Sequence, residues 1–279
     1  MTAPAAVLAT VLATTAVGSS VLLWFGPTFD QLRRGYDALT GTSIALLALG
    51  AWAAFAGPML SLESTGLDER GALARVLLLA MAVASVVAVV ARTLRAPAVV
   101  VRILGAAASL LGAASFWPLA VIRAERGGVG GVTQGLVELA LGALLMGGIW
   151  VGLILGHWYL VERRLSNRYM VWIAWTNVAA IGAGLGSVLL SWRSPAPCEG
   201  LPPGGEFEQC SMLFSPVLQI GSMSVILGLG VLSLLALIAG FNVKLAREGG
   251  RSIQASTGMF YLAVILAPAV EFAAKVRFF

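Results

Sequence analysis

Eight long apolar runs divide this chain, and their length limits its fold more than any other feature. An α-helix needs ~20 mostly apolar residues to cross the hydrocarbon layer of a bilayer, and each run is about that long or longer. Only 11% of the residues are charged and 59% are hydrophobic, whereas a soluble domain has roughly 25% charged residues. The sequence predicts an all-α polytopic membrane bundle that forms one domain over 1–279, with spans at about 4–25, 36–61, 71–91, 97–122, 135–161, 168–192, 212–241 and 256–274.

The basic residues between the runs predict an orientation. With the N-terminus outside, eleven of the 18 lysines and arginines fall on the cytoplasmic side, as the positive-inside bias requires. Both termini are then external. The basic residues occur in twos and threes without a continuous basic face, which argues against nucleic acid as a partner. We expect an integral protein of a bacterial inner or plasma membrane, with lipids and other membrane subunits as its partners.

The two cysteines lie in one Pro- and Gly-rich segment, SPAPCEGLPPGGEFEQC, which is external in this orientation. In an oxidising compartment, Cys198 and Cys210 are expected to form a disulfide that closes this loop. The alternative is a pair of free thiols. A metal site has less support, because two cysteines without a nearby histidine give too few ligands for a closed zinc site.

Glycines repeat at intervals of four in the fifth run. Gly148, Gly152 and Gly156 would share one helix face, and such a face without side chains lets another helix approach closely. The spacing therefore predicts helix packing. The partner helix belongs either to this chain or to another subunit.

The segment GHWYLVERRLSNR contains the only histidine of the chain. Trp and Tyr rings followed by arginines are typical of a helix end at the membrane interface, so this segment would serve as an anchor on one interpretation. On the other, the hairpin into the next helix forms an interfacial pocket for a quinone or a phospholipid head group. The residues predicted to bind such a ligand are His157, Trp158, Arg163, Arg164, Arg168 and Trp172.

Motifs for catalysis or for an intrinsic cofactor are missing from the sequence. A b-type haem usually needs two axial ligands, and one histidine with no CxxCH motif argues against it. There is no HExxH or His/carboxylate cluster for a metal, no GxSxG elbow and no phosphate-binding loop. We therefore assign no catalytic residues and expect a quinone or a phospholipid as the only ligands.

Acidic side chains fall near the ends of the runs rather than at their centres. Asp37, Glu138 and Glu271 are the ones nearest to apolar sequence, and Lys275 can pair with Glu271 one helical turn away. Few charges are therefore expected in the interior, which argues against a proton pump or a sodium-coupled carrier. Asn177, deep in the sixth run, is expected to make an interhelical hydrogen bond.

Three functions from different classes fit these features. The first is a non-catalytic membrane subunit that anchors or completes a larger redox or energy-converting complex, with a quinone or lipid pocket at the cytoplasmic interface. The second is a permease or flippase for a small or lipophilic solute, which two matching halves around a cavity would favour. The third is a lipid-modifying membrane enzyme, which requires His157, Glu162 and arginines to converge in a polar cavity.

Overall fold

The computed structural model describes residues 4–56, 68–125, 128–162, 165–194, 204–205, 208, 212 and 222–278. Regular secondary structure in these residues is entirely helical. The helices are α1 (Pro4–Phe25), α2 (Arg34–Ala54), α3 (Asp68–Thr93), α4 (Ala98–Ala114), α5 (Phe116–Glu125), α6 (Gly131–Val161), α7 (Arg168–Ser191), α8 (Met223–Glu248) and α9 (Ser252–Lys275).

The described residues contain eight segments that are long and apolar enough to cross a membrane, which confirms the predicted all-helical class and the predicted number of spans. Helices α4 and α5 together form one of them, Ala98–Glu125. The helix is interrupted at Ser115, because Pro118 has no N–H to bond a carbonyl in the preceding turn. The seventh span is Met223–Glu248 instead of the predicted 212–241.

The helices are arranged as two similar four-span units, α1–α5 and α6–α9. In each unit, consecutive spans pack side by side, and the last span returns to contact the first. The first helices of the two units, α1 and α6, pack against each other at the centre of the molecule. There, a side chain on Gly18 would overlap the carbonyl of Ala143, and one on Gly147 would overlap the backbone of Gly18. Backbone contact without intervening side chains is what small residues allow between apolar helices.

The hairpins that end the two units share a backbone feature. Arg95 precedes the start of α4 by three residues, and Gly249 precedes the start of α9 by the same interval. Both have a positive φ, of 64° and 69° respectively, which glycine adopts readily and arginine rarely does. The two turns differ in detail, since Gly249 has a ψ of −163°. The similarity of the two units therefore lies in the order of their packed spans.

Burial follows this arrangement. The most apolar stretches of α1 and α6 are 78% and 72% buried, whereas those of α3 and α8 are 33% buried. The outer helices carry exposed aliphatic side chains, among them Val76 and Val83 on α3. We call the two ends of the bundle the Lys275 end, where α1 begins, and the Arg92 end, where α1 finishes.

Candidate functional site

A cleft of about 540 Å³ opens at the Arg92 end, between the two units. We call it the inter-unit cleft. The first unit contributes the turn after α1 and one side chain of α4, and the second unit contributes the start of α7. Its lining includes Gly26, Phe29, Arg102, Arg168, Tyr169 and Trp172.

Two arginines and three aromatic rings define the chemistry of the inter-unit cleft. The Arg102 guanidinium lies 4.9 Å from the centre of the Phe29 ring, and that of Arg168 lies 4.5 Å from the Tyr169 ring. Arg168 also donates a hydrogen bond to the Tyr169 hydroxyl. Among the residues described, neither arginine has a carboxylate within 4.0 Å. The cleft is therefore cationic and aromatic, and suits an anionic or polar head group attached to an apolar body.

A buried ion pair supports one wall of the inter-unit cleft. Arg92 of α3 is 4% exposed and lies 2.7 Å from Asp37, which has no exposed surface, and 2.8 Å from Asp30. We call these three residues the Arg92 triad. The Arg92 guanidinium also lies 5.4 Å from the centre of the Phe29 ring, so this ring is in contact with both Arg92 and Arg102.

Of the four predicted ligand-binding residues that the structure describes, Arg168 and Trp172 lie together in the inter-unit cleft. His157 is exposed, and its Nδ1 lies 3.1 Å from the Tyr261 hydroxyl of α9. Trp158 points towards α2, where its ring centre is 6.1 Å from that of Tyr36. Because neighbouring residues of a helix point about 100° apart, His157 and Trp158 face different helices. Neither lines the inter-unit cleft.

Four further predicted residues, Arg163, Arg164, Cys198 and Cys210, lie outside the described residues. The predicted arginine pair and the predicted disulfide therefore stay predictions.

The three predicted packing glycines of α6 all lie at contacts within the chain. A Cβ on Gly148 would come within 2.9 Å of Ala180 on α7, and one on Gly156 within 3.1 Å of the Thr257 hydroxyl on α9. A side chain on Gly152 would overlap the Phe260 ring, also on α9. This face of α6 is covered by helices of its own unit.

Asn177 of α7 does not make the hydrogen bond predicted for it. Its side chain is 1% exposed, yet neither its Oδ1 nor its Nδ2 has a partner among the described residues. Instead, Oδ1 lies near the backbone of Gly148, where no side chain can donate to it. A buried amide left in this way costs free energy.

At the Lys275 end, α5, α6 and the segment after α7 meet in a buried polar cluster. Arg123 donates to the Glu138 carboxylate over 3.0 Å, to the Ser194 hydroxyl over 2.9 Å and to the carbonyl of Val129 over 2.8 Å. Gln134 donates to the same Glu138 oxygen over 2.8 Å. Both side-chain donors end on Oε1 of Glu138, and its Oε2 has no hydrogen-bond partner among the described residues.

Helix α9 adds a second ion pair to this cluster. The Lys275 ammonium lies 3.2 Å from Glu271 and donates to the backbone carbonyl of Glu138 over 2.8 Å. We call Arg123, Glu138, Glu271 and Lys275 the Lys275 cluster. The i,i+4 pairing of Glu271 with Lys275 was predicted from the sequence and is confirmed.

The expectation of few interior charges was wrong. Asp37 and Glu271 have no exposed surface, and Glu138 is 1% exposed. These acids do lie within a few turns of helix ends, but neighbouring helices cover those ends. The cations paired with Asp37 and Glu138 come from other helices, which the sequence alone does not bring together, whereas Glu271 pairs within α9.

No group of three or more His, Cys, Asp or Glu side chains in the described ranges is placed to hold a metal ion. No protein-family model, curated protein or solved structure matches this chain.

Proposed function

We propose that this chain is an integral membrane subunit that completes a larger redox or energy-converting complex and holds an amphipathic ligand in the inter-unit cleft. The observation that carries the ligand proposal is the placement of Arg102 and Arg168 in one cleft without a carboxylate partner among the described residues. Arginine is well suited to phosphate because its guanidinium offers several donors in a fixed plane. An anionic phospholipid head group is therefore the ligand that we favour, with a quinone as the alternative.

The position of the inter-unit cleft supports a ligand that enters from the bilayer. Gly26 follows the last residue of α1, and Arg168 is the first residue of α7, so the cleft lies level with helix ends. In a membrane this is the depth of the head groups, where tryptophan and arginine side chains are both favourable. Trp172, one turn further along α7, would then lie beside the upper part of an acyl chain or a quinone ring.

The lining of the inter-unit cleft favours binding over catalysis. Its described residues include no carboxylate, imidazole or thiol, which are the usual groups for general acid–base or nucleophilic chemistry. The lipid-modifying enzyme considered above needs His157 and Glu162 in such a cavity. His157 pairs with Tyr261, and Glu162 pairs with Arg33 over 2.9 Å, so neither is available there. A subunit that binds a ligand and supports partner chains fits these features better.

We further propose that the Arg92 end faces the cytoplasm of a bacterial inner or plasma membrane. Support comes from the bias of basic residues, since Arg33, Arg34, Arg95 and Arg102 all lie at this end. Both termini would then be external, with the Lys275 end on the outer side.

Native purification tests this proposal. The chain, extracted in a mild detergent, is expected to retain partner subunits and phospholipid, which mass spectrometry identifies together with any quinone. Arg102→Gln and Arg168→Gln should each weaken retention of anionic phospholipid about fivefold, since an arginine near a charged head group contributes ~1 kcal/mol. Arg34→Gln is the matched control, because Arg34 is exposed at the same end and does not line the cleft.

The outcomes separate the two parts of the proposal. Equal phospholipid in wild type, Arg102→Gln and Arg168→Gln would refute binding in the inter-unit cleft. Loss of quinone with unchanged phospholipid would make a quinone the ligand. Purification of the chain alone, from membranes in which it is abundant, would contradict a subunit of a larger complex.

A permease or flippase is the second candidate, and the two similar four-span units favour it. Such units often move against each other in carriers. At the centre of the bundle, the backbones of the two units are in close contact at Gly18 and Gly147. Reconstitution into vesicles with a head-group-labelled lipid in both leaflets tests it, because a flippase would make the inner-leaflet label accessible to a membrane-impermeant quencher.

A further inference from the structure

The carboxyl group of Glu271 has an unusual setting in the interior of the protein. Glu271 has no exposed surface and lies on α9 opposite Gly142 of α6. A side chain on Gly142 would overlap the Glu271 carboxylate, so the glycine provides the space that this group occupies. The carboxyl is therefore enclosed between two helices, one turn from the end of α9.

Glu271 receives far less support than the other acid of the Lys275 cluster. Neither of its carboxylate oxygens accepts a hydrogen bond from any described residue. Glu138, by contrast, accepts from both Arg123 and Gln134 through one oxygen. An ionised carboxylate can accept about four hydrogen bonds, and a buried one without donors loses most of its solvation free energy. The charge of Glu271 rests mainly on the ion pair with Lys275.

Lys275 does not depend on Glu271 in the same way. Its ammonium donates to the backbone carbonyl of Glu138 over 2.8 Å and approaches the Ser187 hydroxyl at 3.4 Å. It also lies 5.4 Å from the centre of the Phe278 ring. None of these contacts involves the Glu271 carboxylate.

The charged groups that face Glu271 come from three helices. They are Lys275 of α9, Glu138 of α6 and Arg123 of α5, which is paired with Glu138. Of the other helices that contact α9, α1 has no charged residue, α7 has its charged residue at the Arg92 end, and the charged residues of α8 also lie there. Within the Lys275 cluster itself, two cations and two carboxylates balance when Glu271 is ionised, and Arg277, two residues beyond Lys275, is a further buried cation.

We propose that Glu271 is a proton-binding site. Its carboxylate takes up one proton on Oε2, the oxygen that is not paired with Lys275, and becomes a neutral carboxylic acid, and it returns to the carboxylate when the proton leaves. The Lys275 cluster gains one positive charge when this proton binds. No covalent bond other than O–H forms or breaks. A site of this kind would let the protein bind or pass a proton at the Lys275 end, independently of any ligand in the inter-unit cleft.

Infrared difference spectroscopy tests this directly in the detergent-solubilised or vesicle-reconstituted protein. Lowering the pH should produce the C=O band of a carboxylic acid in an apolar environment, distinct from the bands of exposed carboxyls. Carbon-13 labelling of glutamate should shift this band, and Glu271→Gln should remove it. Glu162→Gln is the matched control, since Glu162 pairs with Arg33 at the Arg92 end and its loss should leave the band in place, and Glu138→Gln is measured beside it to identify which acid of the cluster carries the band.

The spectra of the wild-type protein are by themselves enough to overturn the proposal. The test therefore remains valid even when the Glu271→Gln variant does not fold. No buried-carboxyl band over the range in which the protein stays folded would mean that Glu271 keeps its charge and serves only as an ion-pair partner. A band that is insensitive to glutamate labelling would assign the proton to an aspartate. A band that disappears in Glu138→Gln and persists in Glu271→Gln would move the site to Glu138.

Discussion

Arg92 and Asp37 lie 2.7 Å apart, and Asp37 has no exposed surface. The two residues are separated by 55 positions in the chain and join the end of α3 to the start of α2. Burial of both charges makes each of them dependent on the other, because removing one partner leaves an uncompensated charge in the interior.

Arg92→Gln should therefore destabilise the protein by about 3–5 kcal/mol. The matched control is Arg33→Gln, which breaks the pair with Glu162 that lies at the surface, with the Arg33 side chain 78% exposed. An exposed pair contributes ~1 kcal/mol or less. Thermal unfolding in a single detergent measures both variants. Similar decreases in the unfolding temperature of the two variants would mean that the buried Arg92 triad contributes no more to stability than the exposed pair.

Gly147→Ala and Gly230→Ala should change stability in opposite directions. A methyl group on Gly147 meets the backbone of Gly18, which should cost about 1–3 kcal/mol and loosen the contact between the units. Gly230 has nothing within 4 Å of an added Cβ, and alanine there should stabilise α8 by about 0.5–1 kcal/mol. Thermal unfolding in a single detergent measures the stability of both variants. Stabilisation by Gly147→Ala would contradict the close packing of α1 on α6.

His157→Phe should have little effect. It removes one hydrogen bond, to Tyr261, at an exposed position, so the loss of stability should be about 1 kcal/mol or less. Retention of phospholipid should equal that of wild type, because His157 does not line the inter-unit cleft. Tyr261→Phe breaks the same hydrogen bond, and its loss of stability is expected to equal that of His157→Phe. A loss of bound ligand in His157→Phe alone would place a ligand at His157.

Topology reporters test the proposed orientation. A reporter inserted after Arg164 or Gly249 should be cytoplasmic, and one within 198–210 should be external. Reversed readings at these positions would invert the orientation of the bundle and place the Lys275 end in the cytoplasm.

Thiol labelling of intact cells tests the predicted disulfide. Cys198 and Cys210 should react with a membrane-impermeant maleimide only after treatment with a reductant, because a disulfide has no free thiol. Cys198→Ser should then leave Cys210 reactive without a reductant. Ready labelling of the untreated wild type would exclude the bond.

The helices were largely predictable because apolar length alone determines them. The first and sixth predicted spans, 4–25 and 168–192, nearly coincide with α1 and α7. The seventh predicted span, 212–241, stops short of Lys244 and Arg247. These residues extend α8 instead, and the Arg247 guanidinium lies 5.2 Å from the centre of the Trp175 ring. Long basic side chains can cover an apolar surface while the charge stays at its edge.

The polar clusters were largely unpredictable because their members are far apart in sequence. The Lys275 ammonium meets the carbonyl of Glu138 across 137 positions, and no local pattern indicates this contact. The pairing of Glu271 with Lys275 and that of Gln134 with Glu138 have a helical i,i+4 spacing that can be read directly. The inter-unit cleft was partly predicted, through Arg168 and Trp172, but Arg102 comes from a helix that the sequence does not bring near them.

The even number of spans in each unit has a consequence for how such a molecule can be assembled. Units α1–α5 and α6–α9 both begin at the Lys275 end, so their successive spans run in the same directions and not in opposite ones. Two separate copies of such a four-span unit could therefore pair through their first helices while both are inserted into the membrane in the same direction. The whole chain is thus the single-polypeptide counterpart of a parallel dimer. The stretch between α5 and α6 joins the two units, so they do not have to meet as separate molecules.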